Sequence, residues 1–215
     1  MSEHCDFSVK FWGVRGSISI SDPNSVRYGG NTSCLEIRCD DRLLIFDAGS
    51  GLRYLGNDLV ERGDVIDADI FLTHTHYDHI CGIPFFKPFF NPQNRFRLQA
   101  GHLLPEKNLR GVLCDLMTSP LFPVPIEIFQ SKIEFHDFIV GDSLNTGSDV
   151  VVRTASLNHP DGATGYRIEF GGRSICYLTD TEHVAGELDQ TILRLIDGAD
   201  IVIYDSMFTE EEYAN

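Results

Sequence analysis

Residues His74-Thr75-His76-Tyr77-Asp78-His79 place three imidazoles and a carboxylate within six positions, directly after the apolar run Asp69-Ile70-Phe71-Leu72-Thr73. In extended backbone, side chains two apart point the same way, so His74 and His76 can reach one cation together. Asp78 and His79 follow where the chain turns and Gly82 allows a sharp bend, and they can aim at a second cation beside the first. Mixed imidazole and carboxylate ligands suit zinc, while imidazole also accepts iron or nickel and carboxylate accepts manganese. The chemistry open to such a set is metal-assisted hydrolysis, which needs neutral imidazoles and carboxylates converging from several strand ends. A loose surface cluster of histidines would not need a hydrophobic strand in front of it.

The elements that must position these residues follow an α/β pattern of short apolar runs alternating with amphipathic segments. Strands are expected at 7–14, 33–39 and 43–46, with Asp40-Asp41 as a hairpin turn, and a helix at 52–62 with Leu52, Leu55, Leu59 and Val60 on one face and Gly63 at its end. The strand at 69–73 then delivers the histidines. In the run 83–90, two prolines forbid a long regular helix and leave four phenylalanines either to pack the core or to contact substrate. Further strands are expected at 150–155, 165–170, 174–178 and 200–204, with a hairpin across Gly171-Gly172 and a helix at 187–196. The segment 121–125 reads as a rigid surface loop.

At residues 74–79 the chain resembles the metallo-β-lactamase superfamily, whose signature His-x-His-x-Asp-His it matches without a gap. Phe46-Asp47-Ala48-Gly49 before it resembles the family's strand-end Asp motif, and Asn158-His159-Pro160 and Leu178-Thr179-Asp180 after it resemble the next metal histidine and the strand ending in the bridging aspartate, in the family's order. Gly13-Val14-Arg15-Gly16-Ser17 and the segment 28–34 look most like the branch of cyclic-nucleotide phosphodiesterases and tRNA 3′-processing endonucleases. The resemblance implies a four-layer αββα sandwich. It further implies two divalent metals, with zinc expected and manganese or iron as alternatives. His74, His76 and His159 would hold the first, Asp78 and His79 the second, and Asp180 would bridge them, with a shared hydroxide as nucleophile. His183, in Asp180-Thr181-Glu182-His183, either protonates the leaving oxygen or is an exposed histidine at a helix start. Asp47 is the candidate to orient a metal histidine, or else a turn-forming residue ahead of Gly49. Metal-dependent relatives carry one more histidine after the strand matching 200–205, and here none follows His183. The expectation is a chain lacking its C-terminal part, the alternatives being that another residue takes the role or that the second site is weak. In the truncated reading 208–213 is a polar helical start and the sheet edge is left exposed, with either self-association as a homo-oligomer or poor solubility following, and the site of Asp78 and His79 filled more weakly than that of His74, His76 and His159.

With 215 residues and 42% hydrophobic content, the chain is long enough for the core of one substantial domain. No membrane span or export signal is legible at the N-terminus, so a cytoplasmic protein is expected. The cysteines at 5, 34, 39, 81, 114 and 176 form no Cys-x-x-Cys pair and read as buried reduced thiols. His4, His102 and His136 match no motif and are expected to be ordinary surface or hydrogen-bonded residues. A formal charge of −15 argues against extended nucleic acid as a partner, since binding it depends on many lysines and arginines. A small anionic substrate is compatible, because bound cations concentrate positive charge inside an acidic shell. The expected activity is hydrolysis of a small or cyclic phosphodiester. The alternatives are a thioester or lactone hydrolase on the same scaffold, or an inactive metal-binding or interaction protein.

Overall fold

The computed structural model describes residues 6–146 and 149–206. His4, Cys5 and the segment 208–213 lie outside them. Two compact units make up the chain, Met1–Ile139 and Val140–Asn215. Among the described residues, each carries one sheet.

In the first unit, β1 (Phe7–Gly13), β2 (Cys34–Cys39), β3 (Arg42–Phe46), β4 (Asp67–Leu72), β5 (Arg95–Ala100) and β6 (Lys132–Asp137) lie side by side in that order. The first three are antiparallel, and β3 through β6 are parallel. Parallel neighbours need a crossover. It is supplied by α1 (Gly51–Arg62) between β3 and β4, by α2 (Tyr77–Ile80) and two 3₁₀ turns between β4 and β5, and by α3 (Leu109–Leu116) between β5 and β6. The C-terminal ends of β3, β4 and β5 therefore share one edge of the sheet, the edge where open α/β sheets bind ligands.

One face of this sheet buries Leu43, Ile45, Ala68, Ile70, Leu72, Phe96 and Leu98 in a cluster with Leu52, Leu55 and Leu59 of α1. On the other face Leu44, Phe46 and Phe71 are buried too, with the rings of Phe46 and Phe71 stacked at 5.0 Å across the β3–β4 register. Burial on both faces explains why these strands read as nearly continuous apolar runs. Asp69 interrupts that run and is nonetheless buried, because Arg42 (2.6 Å), Arg97 (2.7 Å) and Gln99 (3.0 Å) donate to it. Val60 does not join the inner face of α1; it is 50% exposed, about a quarter turn round the helix from Leu52 and Leu59. Gly63 ends the helix in the left-handed region at φ 81.

The phenylalanine run divides. Phe86 and Phe89 are fully buried and meet Phe96 edge to face, with centroids 4.8, 5.5 and 4.9 Å apart, each such pair contributing about 0.5–1.5 kcal/mol beyond its buried area. Phe85 and Phe90 face outward. The segments that become β5, β6 and α3 were not among the expected elements, although Phe96, Leu98 and Ala100 alternate inward with Arg95, Arg97 and Gln99 in the period of two that marks a strand.

The second unit carries β7 (Ser143–Asn145), β8 (Val151–Leu157), β9 (Ala163–Phe170), β10 (Arg173–Leu178) and β11 (Ile201–Tyr204), ordered β11-β10-β9-β8-β7. The hairpin from β9 to β10 turns at Gly171-Gly172 as expected. Helix α4 (Gln190–Ile196) begins later than residue 187, because Asp189 accepts hydrogen bonds from the N–H groups of Thr191 (2.8 Å) and Ile192 (3.1 Å) and so caps it. Ile192 and Leu195 of α4 pack with Ala155, Leu157, Ala163, Cys176 and Leu178. Among the described residues β11 lies at the edge of the sheet, with Ile201, Val202 and Tyr204 exposed. Cys34, Cys39 and Cys176 are buried free thiols, whereas Cys81 and Cys114 are only half-buried. Among the described residues, no helix is long and apolar enough to cross a membrane.

Glu36 of β2 joins the sheet to α1. Its buried carboxylate accepts from Trp12 Nε1 (2.9 Å), Arg38 Nε (2.9 Å) and Arg62 Nη1 (3.2 Å). Burial works to raise its pKa, but these donors outweigh burial and hold it below the usual glutamate range. A depressed folded-state pKa contributes stability that is complete above the unfolded value of about 4.3 and lost as pH falls through the folded value. Glu36→Gln is expected to cost about 1–3 kcal/mol at pH 7, with the gap from wild type closing in acid. Urea melts at several pH values check this, and equal stability at pH 7 would remove Glu36 from the role.

Candidate metal centre

The site in the first unit is assembled at the shared C-terminal edge of the parallel strands. Asp47 follows β3 directly, and the histidine segment follows β4. Asp47 is fully buried and sits at φ 59, a left-handed conformation that Asp tolerates better than most residues. Its Oδ1 accepts from the Thr73 N–H (2.8 Å), its two oxygens share the Thr73 hydroxyl (2.9 and 3.0 Å), and Oδ2 lies 2.9 Å from His79 Nδ1. A buried carboxylate needs donors of this kind to offset its desolvation.

That network sets the imidazole tautomers. With Asp47 accepting at His79 Nδ1, the proton of that ring belongs on Nδ1 and its lone pair on Nε2. Nε2 in turn faces Asp78 Oδ2 at 3.4 Å. The Thr73 hydroxyl spends its proton on Asp47, so its oxygen is left to accept from His74 Nδ1 at 3.1 Å. His74 then also presents a lone pair at Nε2, which lies 3.0 Å from His76 Nδ1. The rings of His74 and His79 are 4.1 Å apart and those of His74 and His76 are 4.5 Å apart. His74, Asp78 and His79 are buried and His76 is half-buried. Lone pairs on buried imidazoles, gathered beside a carboxylate oxygen, are the donor set that a divalent cation satisfies, so the residues present fit a metal centre.

Two further groups hold this arrangement. The Ser17 N–H donates to Asp78 Oδ2 at 2.7 Å from a left-handed backbone at φ 61. Burial works to raise the Asp78 pKa, but the neighbouring His79 ring and the Ser17 N–H outweigh it and hold the carboxyl below the usual range. Gly82 packs so closely on the turn after Asp47 that a Cβ there would come 2.1 Å from the Gly49 carbonyl oxygen. Cys81 Sγ lies 3.8 Å from Thr32 Oγ1. His102 is hydrogen-bonded to Thr75 Oγ1 at 3.1 Å, and His136 is an exposed residue 3.6 Å from Glu134.

In the second unit, β8 and β10 run in the same direction because both are antiparallel to β9. His159, after β8, and Asp180, after β10, therefore leave the same edge of that sheet. The two loops are tied by Glu182 N–H to Asn158 O (2.7 Å) and by Asn158 Nδ2 to Glu182 O (2.9 Å). His159 opens a turn closed by the Gly162 N–H on its carbonyl (2.9 Å), with Pro160 presetting the bend and Asp161 at φ 62. Asp180, like Asp47, is a strand-end aspartate with positive φ (52), and its Oδ2 accepts from Thr179 Oγ1 at 2.8 Å. His183 is exposed and precedes α4 by several residues rather than starting it. Its Nε2 lies 3.0 Å from the Tyr204 hydroxyl, and the two rings stack at 5.9 Å.

Thr73 and Tyr204 were not singled out from sequence, and Ser17 entered only within the motif Gly13-Val14-Arg15-Gly16-Ser17, with no role assigned. Thr73 carried a local signal, a hydroxyl next to His74 at a strand end; the contacts of Ser17 and Tyr204 cross long separations that no local pattern marks.

A family model described as a β-lactamase superfamily domain matches residues 42–215. Ribonuclease Z from Haloarcula marismortui is 28% identical over 166 residues, covering 75% of this chain and 47% of that protein. The chain thus spans about half the length of the curated relative it matches. Among solved structures, the metallo-β-lactamase fold protein YhfI from Bacillus subtilis aligns with a TM-score of 0.65 at 17% identity, covering 94% of this chain and 73% of that one. The short form of human tRNase Z aligns with a TM-score of 0.65 at 19% identity, covering 94% and 79%. At such identities the likeness is one of fold, and the fold is that of the metallo-β-lactamases.

The hydrogen-bond network yields a direct expectation. In metal-free protein at neutral pH, the His79 ring should carry its proton on Nδ1, which ¹⁵N NMR reports. Asp47→Asn should lose that tautomer preference and about 1–3 kcal/mol of stability, since buried donors of Thr73 and His79 lose a charged acceptor. An unchanged His79 spectrum in the variant would sever the link to Asp47.

Proposed function

The chain belongs to the β-lactamase superfamily domain family, and from that membership we propose that it is a metal-dependent hydrolase acting on a small or cyclic phosphodiester. In this reading the two units serve as a single domain. His74, His76 and His159 would hold one divalent cation and Asp78 and His79 a second, with Asp180 contributing its carboxylate to both. The residue groups His74, His76, His159 and His74, His79, Asp180 are of the types that bind zinc, with manganese or iron as the alternatives. The observation that carries the reading is the pairing of His79 Nδ1 with Asp47 and of His74 Nδ1 with Thr73, which turns both Nε2 atoms toward the carboxylate and the neighbouring imidazole. Metal-ligating histidines are oriented by such partners.

Bound divalent cations would supply Lewis acidity and a water of pKa near about 7. The chain's own residues supply orientation and proton handling. The Ser17 N–H keeps the Asp78 carboxylate ionised and in place. At His183, the imidazolium form donates Nε2–H to the Tyr204 hydroxyl oxygen, 3.0 Å away, which orients the ring, and passes its Nδ1 proton to the leaving oxygen, becoming neutral imidazole.

The ribonuclease Z relative is named for action on RNA, which favours a second reading, hydrolysis of an RNA phosphodiester. Against it stands the charge of −15, with 17 Lys and Arg against 32 Asp and Glu, which opposes binding along a phosphate backbone. Metal-analysed protein assayed on bis(p-nitrophenyl) phosphate, cyclic nucleotides, a thioester, a lactone, a β-lactam and tRNA with a 3′ trailer separates the readings. Turnover of the diesters alone supports the proposal, and turnover of thioester, lactone or β-lactam without diester turnover overturns it.

Asp180→Ala is expected to lower bound metal and diester turnover by more than about 100-fold, with the circular dichroism spectrum unchanged. Normal turnover would rule out a shared carboxylate. His183→Ala is expected to retain metal and to slow diesters with poor leaving groups by about 10²–10⁴-fold while sparing activated aryl esters. Equal slowing of both classes would argue against proton donation by His183.

A further inference from the structure

His102 lies outside the ligand set, yet the fold brings it to the centre of the histidine segment. β4 and β5 are parallel, with Leu72 opposite Ala100 in the last pair of their ladder. Two residues further along each strand, His74 and His102 leave the sheet side by side, with ring centroids 6.5 Å apart and ring planes at 78°. His102 Nε2 is 3.1 Å from the hydroxyl of Thr75, the residue between His74 and His76. His74 Nε2 and His76 Nδ1 meet each other at 3.0 Å, while the Thr75 side chain between them bonds His102. The ladder hydrogen bonds have ended by this point; the His79 N–H holds the His76 carbonyl (3.0 Å), and the His102–Thr75 contact holds the residue before it.

We propose that His102 is a positioning residue for the metal centre, clamping the backbone between His74 and His76 through its hydrogen bond to Thr75. The role is mechanical: holding Thr75 from one side sets the separation at which His74 Nε2 and His76 Nδ1 present themselves on the other, 3.0 Å apart. Asp47 and Thr73 orient the ring of His74 at its Nδ1, and the His102–Thr75 pair governs the backbone that carries both rings. The inference rests on the metal-centre reading and adds a residue to it.

The test is cobalt(II) titration of metal-free wild type, His102→Phe, Thr75→Val, the double variant and His102→Gln, read by affinity and by the visible absorption bands. His102→Phe keeps an aromatic ring but removes the nitrogen, and is expected to weaken cobalt binding by about 10–100-fold, the usual effect of losing a group that orients ligands, and to shift the bands. Thr75→Val should do the same. The double variant should bind no more weakly than either single one, because both changes break one interaction. His102→Gln, whose amide nitrogen reaches the Thr75 hydroxyl, should recover most of the loss. Unchanged affinity and spectrum in His102→Phe overturn the proposal, as do fully additive losses in the double variant. A fall in metal-free melting temperature that accounts for the whole loss of affinity also overturns it, by marking a general fold defect. Wild type that binds no cobalt overturns the metal-centre reading itself, and is distinguishable from every outcome in which only the variants fail to respond.

Discussion

The buried carboxylate of Asp47 is the constraint on which the first unit's functional edge depends. A charge with no solvent contact must be met by donors, and here those donors come from two successive parts of the chain: the backbone and hydroxyl of Thr73 at the end of β4, and His79 on α2. Satisfying Asp47 therefore fixes the end of β4 relative to β3 and draws the first turn of α2 onto both. The short helix is further held by backbone bonds, Ala48 N–H to His79 O (2.8 Å) and Gly82 N–H to Ala48 O (2.9 Å), at an approach that leaves no space for a side chain at position 82. Asp78 and His79 have their positions because α2 does.

The parallel arrangement of β3, β4 and β5 explains why the chemistry gathers where it does. Each strand ends at the same edge, so residues far apart in sequence meet there, Asp47 with His79 and His74 with His102. The second unit repeats the device at lower density. β8 and β10 run the same way, and the loops carrying His159 and Asp180 are bound to each other through Asn158 and Glu182. In both units an aspartate ends a strand in the left-handed region, at φ 59 and φ 52. Reversing the backbone at that point ends the strand, and Asp is among the side chains that accept the conformation while remaining able to take hydrogen bonds.

Electrostatics and packing divide the work. The −15 charge of the chain is not spread evenly in effect, because buried acids are locally compensated: Asp69 by two arginines and Gln99, Glu36 by Trp12 and two arginines, Asp47 by neutral donors. The arginine-bonded acids sit inside the scaffold away from the histidines. At the site itself the donors are N–H and O–H groups that orient without adding positive charge. Such a neutral, donor-rich surround leaves the imidazole nitrogens and the Asp78 carboxylate to a cation.

By itself the sequence determined the α/β class, most strands of the described residues, the hairpin turn at Asp40 and the helix end at Gly63, because these depend on local periodicity and on residues with special backbone freedom. It also marked His74, His76, Asp78 and His79 as one group, since they are adjacent and follow an apolar run. Tertiary structure decided what lay beyond a local window. Whether Val60 or Leu59 faces inward depends on a quarter turn of helix, and which phenylalanines of 83–90 are core depends on where Phe96 and Gly56 stand. That His102 is a neighbour of His74 and not a stray surface residue follows only from the β4–β5 register. The tautomers of His74 and His79 depend on which atoms Asp47 and Thr73 bring within 3.1 Å. Hydrogen bonds between strand ends are set by pairing across the sheet, and one chain read in order carries no direct record of that pairing.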